Sequence, residues 1–174
     1  LYFNLSSNPD GTTKAPAFFQ DVQVRRAISA AIDRDEIINA ALLGVAEEST
    51  GPIANTSEYY NPDTEWYRDN VQAARTLLDE SGWTLKPGDE FRTDANGQVM
   101  AFSLYYVNSF DRSAVARVVK QNLASIGINV IIDRKDQPVK TSVSANQEGW
   151  TLSELSAEIL APKSFDVILY GINT

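Results

Sequence analysis

Carboxylates are the residues of this sequence whose types and spacing could do chemistry. Asp33, Asp35 and Glu36 cluster, as do Asp79 and Glu80. Paired carboxylates can act as general acid and base. Each group falls at an expected helix start or on a solvated helix face, where acidic residues complement the helix dipole. The chain contains no His and no Cys. Ser-His-Asp and Cys-His nucleophilic catalysis, thiolate zinc sites, iron–sulfur clusters and redox CxxC pairs are therefore excluded from its own residues. Neither GxGxxG nor GxxxxGK occurs, so no glycine-rich phosphate cradle is indicated. The acidic run Asp133-Arg134-Lys135-Asp136 lacks both the spacing and the glycine of an EF-hand loop. The expectation is a protein that is not an enzyme and carries no cofactor or metal.

Aromatic side chains are the more informative group. Phe, Trp and Tyr make up 10% of the chain, with Tyr59-Tyr60, Trp66-Tyr67 and Tyr105-Tyr106 adjacent. Neighbouring residues of a strand point to opposite faces, so one of Tyr105 and Tyr106 must leave the local core. Core filling is the default role of such rings; a surface that binds peptide or sugar by stacking is the functional alternative. Lys plus Arg (15) against Asp plus Glu (23) gives a net charge of −8. Partners that present phosphate backbones or anionic membrane surfaces need cationic neutralisation, so neither is expected. Arg25-Arg26 is read as ion pairing with neighbouring acids.

The elements that must position these residues follow from periodicity. With 174 residues, one domain can bury about two-thirds of its unfolded surface without disulfides or metal. Residues 1–6 alternate as a short strand, and Ser7-Asn8-Pro9-Asp10-Gly11 is loop chemistry. Asp21 is an N-cap for a helix over 22–32, with Val24, Ala27, Ile28 and Ala31 inward. Asp33 with Glu36 forms a capping-box pattern for a second helix that Gly44 stops. Residues 47–69 are turn-rich and read as an ordered loop. Asn70 caps a helix over 71–81. Asn96-Gly97 signals a hairpin between strands near 90–93 and 99–107. A helix over 111–125, a strand over 128–133, a Thr151/Glu154-capped helix to about Leu160 and a strand over 165–170 complete the chain.

Strands separated by helices pair in parallel through right-handed crossovers. The fold class is therefore α/β, a mixed and largely parallel sheet flanked by helices. Strands 99–107, 128–133 and 165–170 are expected in one sheet, the first two parallel with helix 111–125 between them. Ligands of open α/β sheets bind outside the carboxyl ends of strands. Two such ends arise here, one at Tyr106 to Asn108 and the other at Gly171-Ile172-Asn173-Thr174. Gly171 has no Cβ to hinder a ligand backbone. Core membership of Tyr106 is the open alternative. No stretch reaches eighteen apolar residues, so no membrane-spanning helix is expected. The chain opens without Met or an export signal and reads as a piece of a longer protein.

One segment is more specific than composition. Phe18-Phe19-Gln20-Asp21-Val22-Gln23-Val24-Arg25-Arg26-Ala27-Ile28, followed by Ala31-Ile32-Asp33-Arg34-Asp35-Glu36-Ile37, resembles the arginine-doublet segment of the family 5 extracellular solute-binding proteins. These are oligopeptide-, dipeptide- and nickel-binding receptors of ATP-binding cassette (ABC) importers. Leu42-Leu43-Gly44, Gly51-Pro52-Ile53, Leu77-Leu78-Asp79-Glu80-Ser81-Gly82-Trp83, Ile126-Gly127-Ile128 and Phe165-Asp166-Val167 occur in the family's order.

The resemblance implies one lobe of a two-lobed periplasmic-binding-protein-like fold, with residues 1–174 as a single, truncated part of the distal lobe. It implies a monomeric, extracytoplasmic receptor, soluble or lipid-anchored, that binds peptides or another small solute between lobes and delivers them to permease subunits. The alternative is a stand-alone interaction or enzyme domain that shares only the fold. In the resembling receptors the two residues after the Gly171 position contact the peptide, and the first is often Trp. Ile172 departs from that pattern, which implies a wider or less stacking-dependent pocket. An Asp that follows there and holds the peptide's amino group is not reached before Thr174. One lobe also offers half the contacts of a cleft and no closure. Calorimetry of residues 1–174 alone is expected to show peptide binding weaker than micromolar, and tighter binding would contradict this reading.

Overall fold

The structure is a computed structural model that describes residues 1–8, 10–11, 14–49, 51, 53–63, 70–107, 109–132 and 150–169. Its centre is strand β2 (Ala101–Tyr106), in which Phe102, Leu104 and Tyr106 are buried on one face. This alternation is the pattern expected of a pleated strand. β3 (Asn129–Ile132) pairs parallel to β2 in the register Ala101 opposite Asn129 to Leu104 opposite Ile132. β4 (Val167–Leu169) pairs parallel on the other side, from Leu104 opposite Val167 to Tyr106 opposite Leu169. β1 (Tyr2–Phe3) runs antiparallel to β4, so the order is β1-β4-β2-β3. The mixed, largely parallel α/β sheet read from the sequence is the observed one, and the three later strands share it.

Helices cover both faces. On one lie α1 (Val22–Ala31), α3 (Val71–Glu80) and α4 (Phe110–Ser125), which bury Val24, Ala27, Ile28, Ala74, Leu78 and Leu123 against Phe102 and Leu104. A short 3-10 turn, Ala17–Gln20, adds Phe19 to this core, where its ring meets Phe3 at 5.1 Å and Phe102 at 5.3 Å. On the other face, α5 (Leu152–Glu154) runs into a π turn (Leu155–Leu160) that packs Leu155 and Ile159 with Trp150, Tyr105 and Val107. Tyr105 and Tyr106 thus part to opposite faces, as the strand pleat requires.

Several local readings change in detail. The expected strand over 90–93 shrinks to the residue Thr93, bridged to Thr84 and Val99, while Asn96-Gly97 does form the reversal. The carboxylate of Asp94 accepts from Gln98 N at 2.8 Å and Asn96 N at 2.9 Å, and these bonds hold it below the usual carboxylate range. The second helix is a single turn, α2 (Arg34–Glu36), continued by a π turn over Ile37–Ala41. Asp33 caps Glu36 N at 2.8 Å, but its capping box is open. Asn122 of α4 takes both reciprocal positions: its Oδ1 accepts from Asp33 N at 2.9 Å and its Nδ2 donates to Glu36 at 2.8 Å. Arg25 does not follow the ion-pair reading, because its guanidinium donates to the carbonyls of Phe19 and Gln20 and braces the 3-10 turn.

Two buried polar residues tie loops to the sheet. Asn4 donates through Nδ2 to the carbonyls of Lys163 (2.9 Å) and Phe165 (2.7 Å), joining β1 to the approach of β4. Arg92, 2% exposed, donates to the carbonyls of Ile126 and Trp83 and to Asp79. Gly127 lies against it with φ +84, and a Cβ there would come within 2.9 Å of Arg92 Cγ. Gly97 has a similar φ of +81 but nothing within 4 Å.

Arg92→Ala is expected to cost about 3 kcal/mol, since it orphans buried carbonyls and a charge partner. Gly127→Ala should cost about 2 kcal/mol or more and Gly97→Ala about 1 kcal/mol, the left-handed strain alone. Urea denaturation of the three variants checks the order. Equal losses at the two glycines would refute the close-packing argument.

Candidate functional site

The connections on either side of β2 diverge. The chain leaves β2 through α4 to reach β3 on one side, then returns through α5 to β4 on the other. In an open α/β sheet such a divergence opens a crevice at the carboxyl ends of the two strands concerned. Those connections leave from β2 and β3; β4 ends beside β2, with Tyr106 opposite Leu169. Beyond Tyr106, Val107 makes a parallel bridge to Trp150, the residue that leads into α5. Trp150 lies 6.4 Å from the Tyr105 ring and is itself 7% exposed.

Two capped helix starts frame this edge. Ser109 accepts from Arg112 N at 3.2 Å and begins α4. Thr151 and Glu154 form the full reciprocal capping box foreseen for α5. The Asp166 carboxylate accepts from Ser103 N at 2.8 Å, supplying β2 with a ladder partner one residue before β4 begins. A cavity of about 250 Å³ lies below the end of β4, lined by Phe3, Ile28, Ser29, Arg34, Val115 and Leu169 among others. Its polar wall is already engaged: Arg34 donates to Ser29 Oγ at 3.1 Å and to the carbonyls of Ser29 and Ile32.

Of the site residues read from the sequence, Tyr106 falls at the carboxyl end of β2, beside the end of β4, with 3% of its surface exposed. Its ring is part of the main core. Asn108, Gly171, Ile172, Asn173 and Thr174 lie outside the described residues. Sequence reasoning missed Phe110, the first residue of α4, which is 81% exposed at this edge. Ser109 was its signal: a capping residue before Phe110 moves the helix start one position earlier than 111.

The model of the bacterial extracellular solute-binding proteins, family 5 Middle, matches residues 1–171. The chain belongs to this family. The nickel-binding periplasmic protein of Escherichia coli K12 is 27% identical over 137 residues, covering 78% of this chain and 25% of that protein. The oligopeptide-binding protein AppA of Bacillus subtilis, solved in complex with a nonapeptide, is 30% identical with a TM-score of 0.61, covering 67% of this chain and 23% of that one. A periplasmic oligopeptide-binding protein of Thermotoga maritima shares the fold across 99% of this chain and 29% of its own, with a TM-score of 0.74 at 20% identity. This family 5 chain spans about a quarter of the length of the curated relatives it matches.

The burial of Tyr106 fixes how its role must be tested in a family 5 receptor. Tyr106→Ala should lose about 3 kcal/mol of stability, as aromatic truncations in cores do. Tyr106→Phe keeps the packed ring and should stay within about 1 kcal/mol of the parent. Thermal or urea melts check both values, and comparable losses would show that the hydroxyl, not the ring, holds the site together.

Proposed function

We propose that this chain is part of the distal lobe of an extracytoplasmic solute receptor that binds peptides in a cleft between lobes and hands them to an ABC permease, without catalysis. The observation that carries the reading is the family match over residues 1–171, taken with the nonapeptide held by the AppA relative. The relatives named are binding proteins. The side-by-side carboxyl ends of β2 and β4 support the same reading, because ligands of open α/β sheets lie outside the carboxyl ends of strands. In this proposal the ligand meets the lobe at Tyr106 and Asn108 after β2, and at Gly171, Ile172, Asn173 and Thr174 after β4. Gly171, which has no Cβ, admits close backbone approach.

A second class has its own support. The E. coli relative is named for nickel, and a NikA of Brucella suis, 28% identical over 86% of this chain, was solved with Fe(III)-EDTA. Thermal shift of the full-length receptor against a pool of tri- to nonapeptides, with Fe(III)-EDTA and nickel chelates alongside, separates the classes. At a hundredfold excess over Kd a true ligand adds about 2.7 kcal/mol of stability. Peptides are expected to give that rise and the chelates none. Asn173→Ala and Tyr106→Phe should each weaken peptide binding by about 1 kcal/mol. Stabilisation by chelates alone would replace the ligand class, and unchanged affinity in both variants would move the site.

A further inference from the structure

Asn96 and Gly97 are a pair whose chemistry a solute receptor does not use. An Asn followed by Gly can lose its side-chain amide when the glycine's backbone nitrogen attacks the Asn Cγ. The missing side chain at the second position leaves that attack unhindered. Both residues are exposed here, and nothing lies within 4 Å of a Cβ built on Gly97.

One residue holds the turn that carries the pair. Gly97 N donates to the Asp94 carbonyl at 3.1 Å, and Asp94 N donates to the Gln98 carbonyl at 3.0 Å. The Asp94 carboxylate accepts from Gln98 N at 2.8 Å and Asn96 N at 2.9 Å. It also accepts from the Asn96 side chain, through Nδ2, at 3.3 Å. The attacking nitrogen and the departing one are therefore both tied to Asp94. Attack requires Gly97 N to give up a proton that the closed turn holds against a carbonyl. It also requires the Asn96 amide to swing onto that nitrogen, which its bond to Asp94 opposes. The reaction must run from the opened turn, whose population these hydrogen bonds limit.

We propose that Asn96 is a site of spontaneous deamidation and that Asp94 is the brake on it. Gly97 N forms a bond to Asn96 Cγ, the Cγ–Nδ2 bond breaks, and ammonia leaves with the proton from Gly97 N. Water then opens the succinimide at either carbonyl, giving Asp or isoaspartate at position 96 with no oxidation or reduction. Either product sets a new carboxylate beside that of Asp94, where the Asn96 amide had donated, and the like charges repel. Isoaspartate also adds a carbon to the backbone of the reversal that makes the Thr93–Val99 bridge ahead of β2. Modification therefore loosens the entry to the central strand.

The test incubates the full-length receptor in mildly alkaline buffer, well below its melting temperature. Peptide mass spectrometry then follows Asp and isoaspartate at position 96. The unaltered receptor is compared with Asp94→Ala and Asp94→Asn, and a synthetic peptide of residues 89–101 gives the unbraked rate. The unaltered receptor is expected to react more slowly than the peptide. Loss of one net hydrogen bond changes an opening equilibrium about fivefold, so Asp94→Ala should react about fivefold faster or more. Asp94→Asn keeps an acceptor oxygen for the backbone amides and should fall between the two. A thermal melt of each form accompanies the rates, and Asp94→Asn carries the comparison if Asp94→Ala unfolds. The peptide's rate in the unaltered receptor, or the unaltered rate in both variants, would overturn the brake. No product at position 96 in either variant would overturn the site. The readout involves no ligand, so it fails separately from the peptide reading.

Discussion

Parallel pairing on both sides of β2 is the constraint on which the remaining structure depends. A strand parallel to its neighbour cannot be reached by a tight turn, so each pairing demands a crossover. The chain meets this demand twice, with α4 leading to β3 and α5 leading to β4. Helices on both sides then leave β2 covered on both faces, and its residues read accordingly. Phe102, Leu104 and Tyr106 fill the larger core, while Tyr105 joins Trp150, Leu155 and Ile159 in the smaller one. The same arrangement brings the carboxyl ends of β2 and β4 side by side.

Where the strands are short, side chains complete the backbone pairing. β1 has two residues and β4 three, too few to be stable as isolated ribbons. Asn4 and Asp166 extend them by hydrogen bonding to backbone groups just outside the ladder. Arg92 does the same for the loop between α3 and β2, gathering carbonyls from Trp83 and Ile126 that would otherwise be buried without donors. Asn122 links α4 to the start of α2 by occupying an open capping box. These contacts join segments far apart in sequence, so they act on the fold as a whole and not on single elements.

The family relationship and the site belong to different levels of evidence. Membership follows from residues 1–171 as a pattern, and the fold is shared even at 20% identity with the Thermotoga protein. Ligand choice does not travel so far, since relatives of nearly equal identity are named for nickel and for oligopeptides. One fold can host different ligands, because function lives in sites grafted on the fold.

Local chemistry determined much that was legible in the sequence. The N-caps Asp21, Asn70 and Thr151 and the reversal at Asn96-Gly97 were readable because each depends on residues a few positions apart. Strand–helix–strand spacing likewise implied the parallel sheet. Tertiary structure alone decided the order β1-β4-β2-β3, the capture of the Asp33 capping box by Asn122 and the turning of Arg25 toward carbonyls. It also decided that Tyr106 is the member of its pair facing the main core, and that Phe110 stands exposed at the start of α4. Pleat geometry makes two neighbours diverge without saying which one turns inward. That choice depends on which helices cover each face, and those helices come from segments remote in the chain.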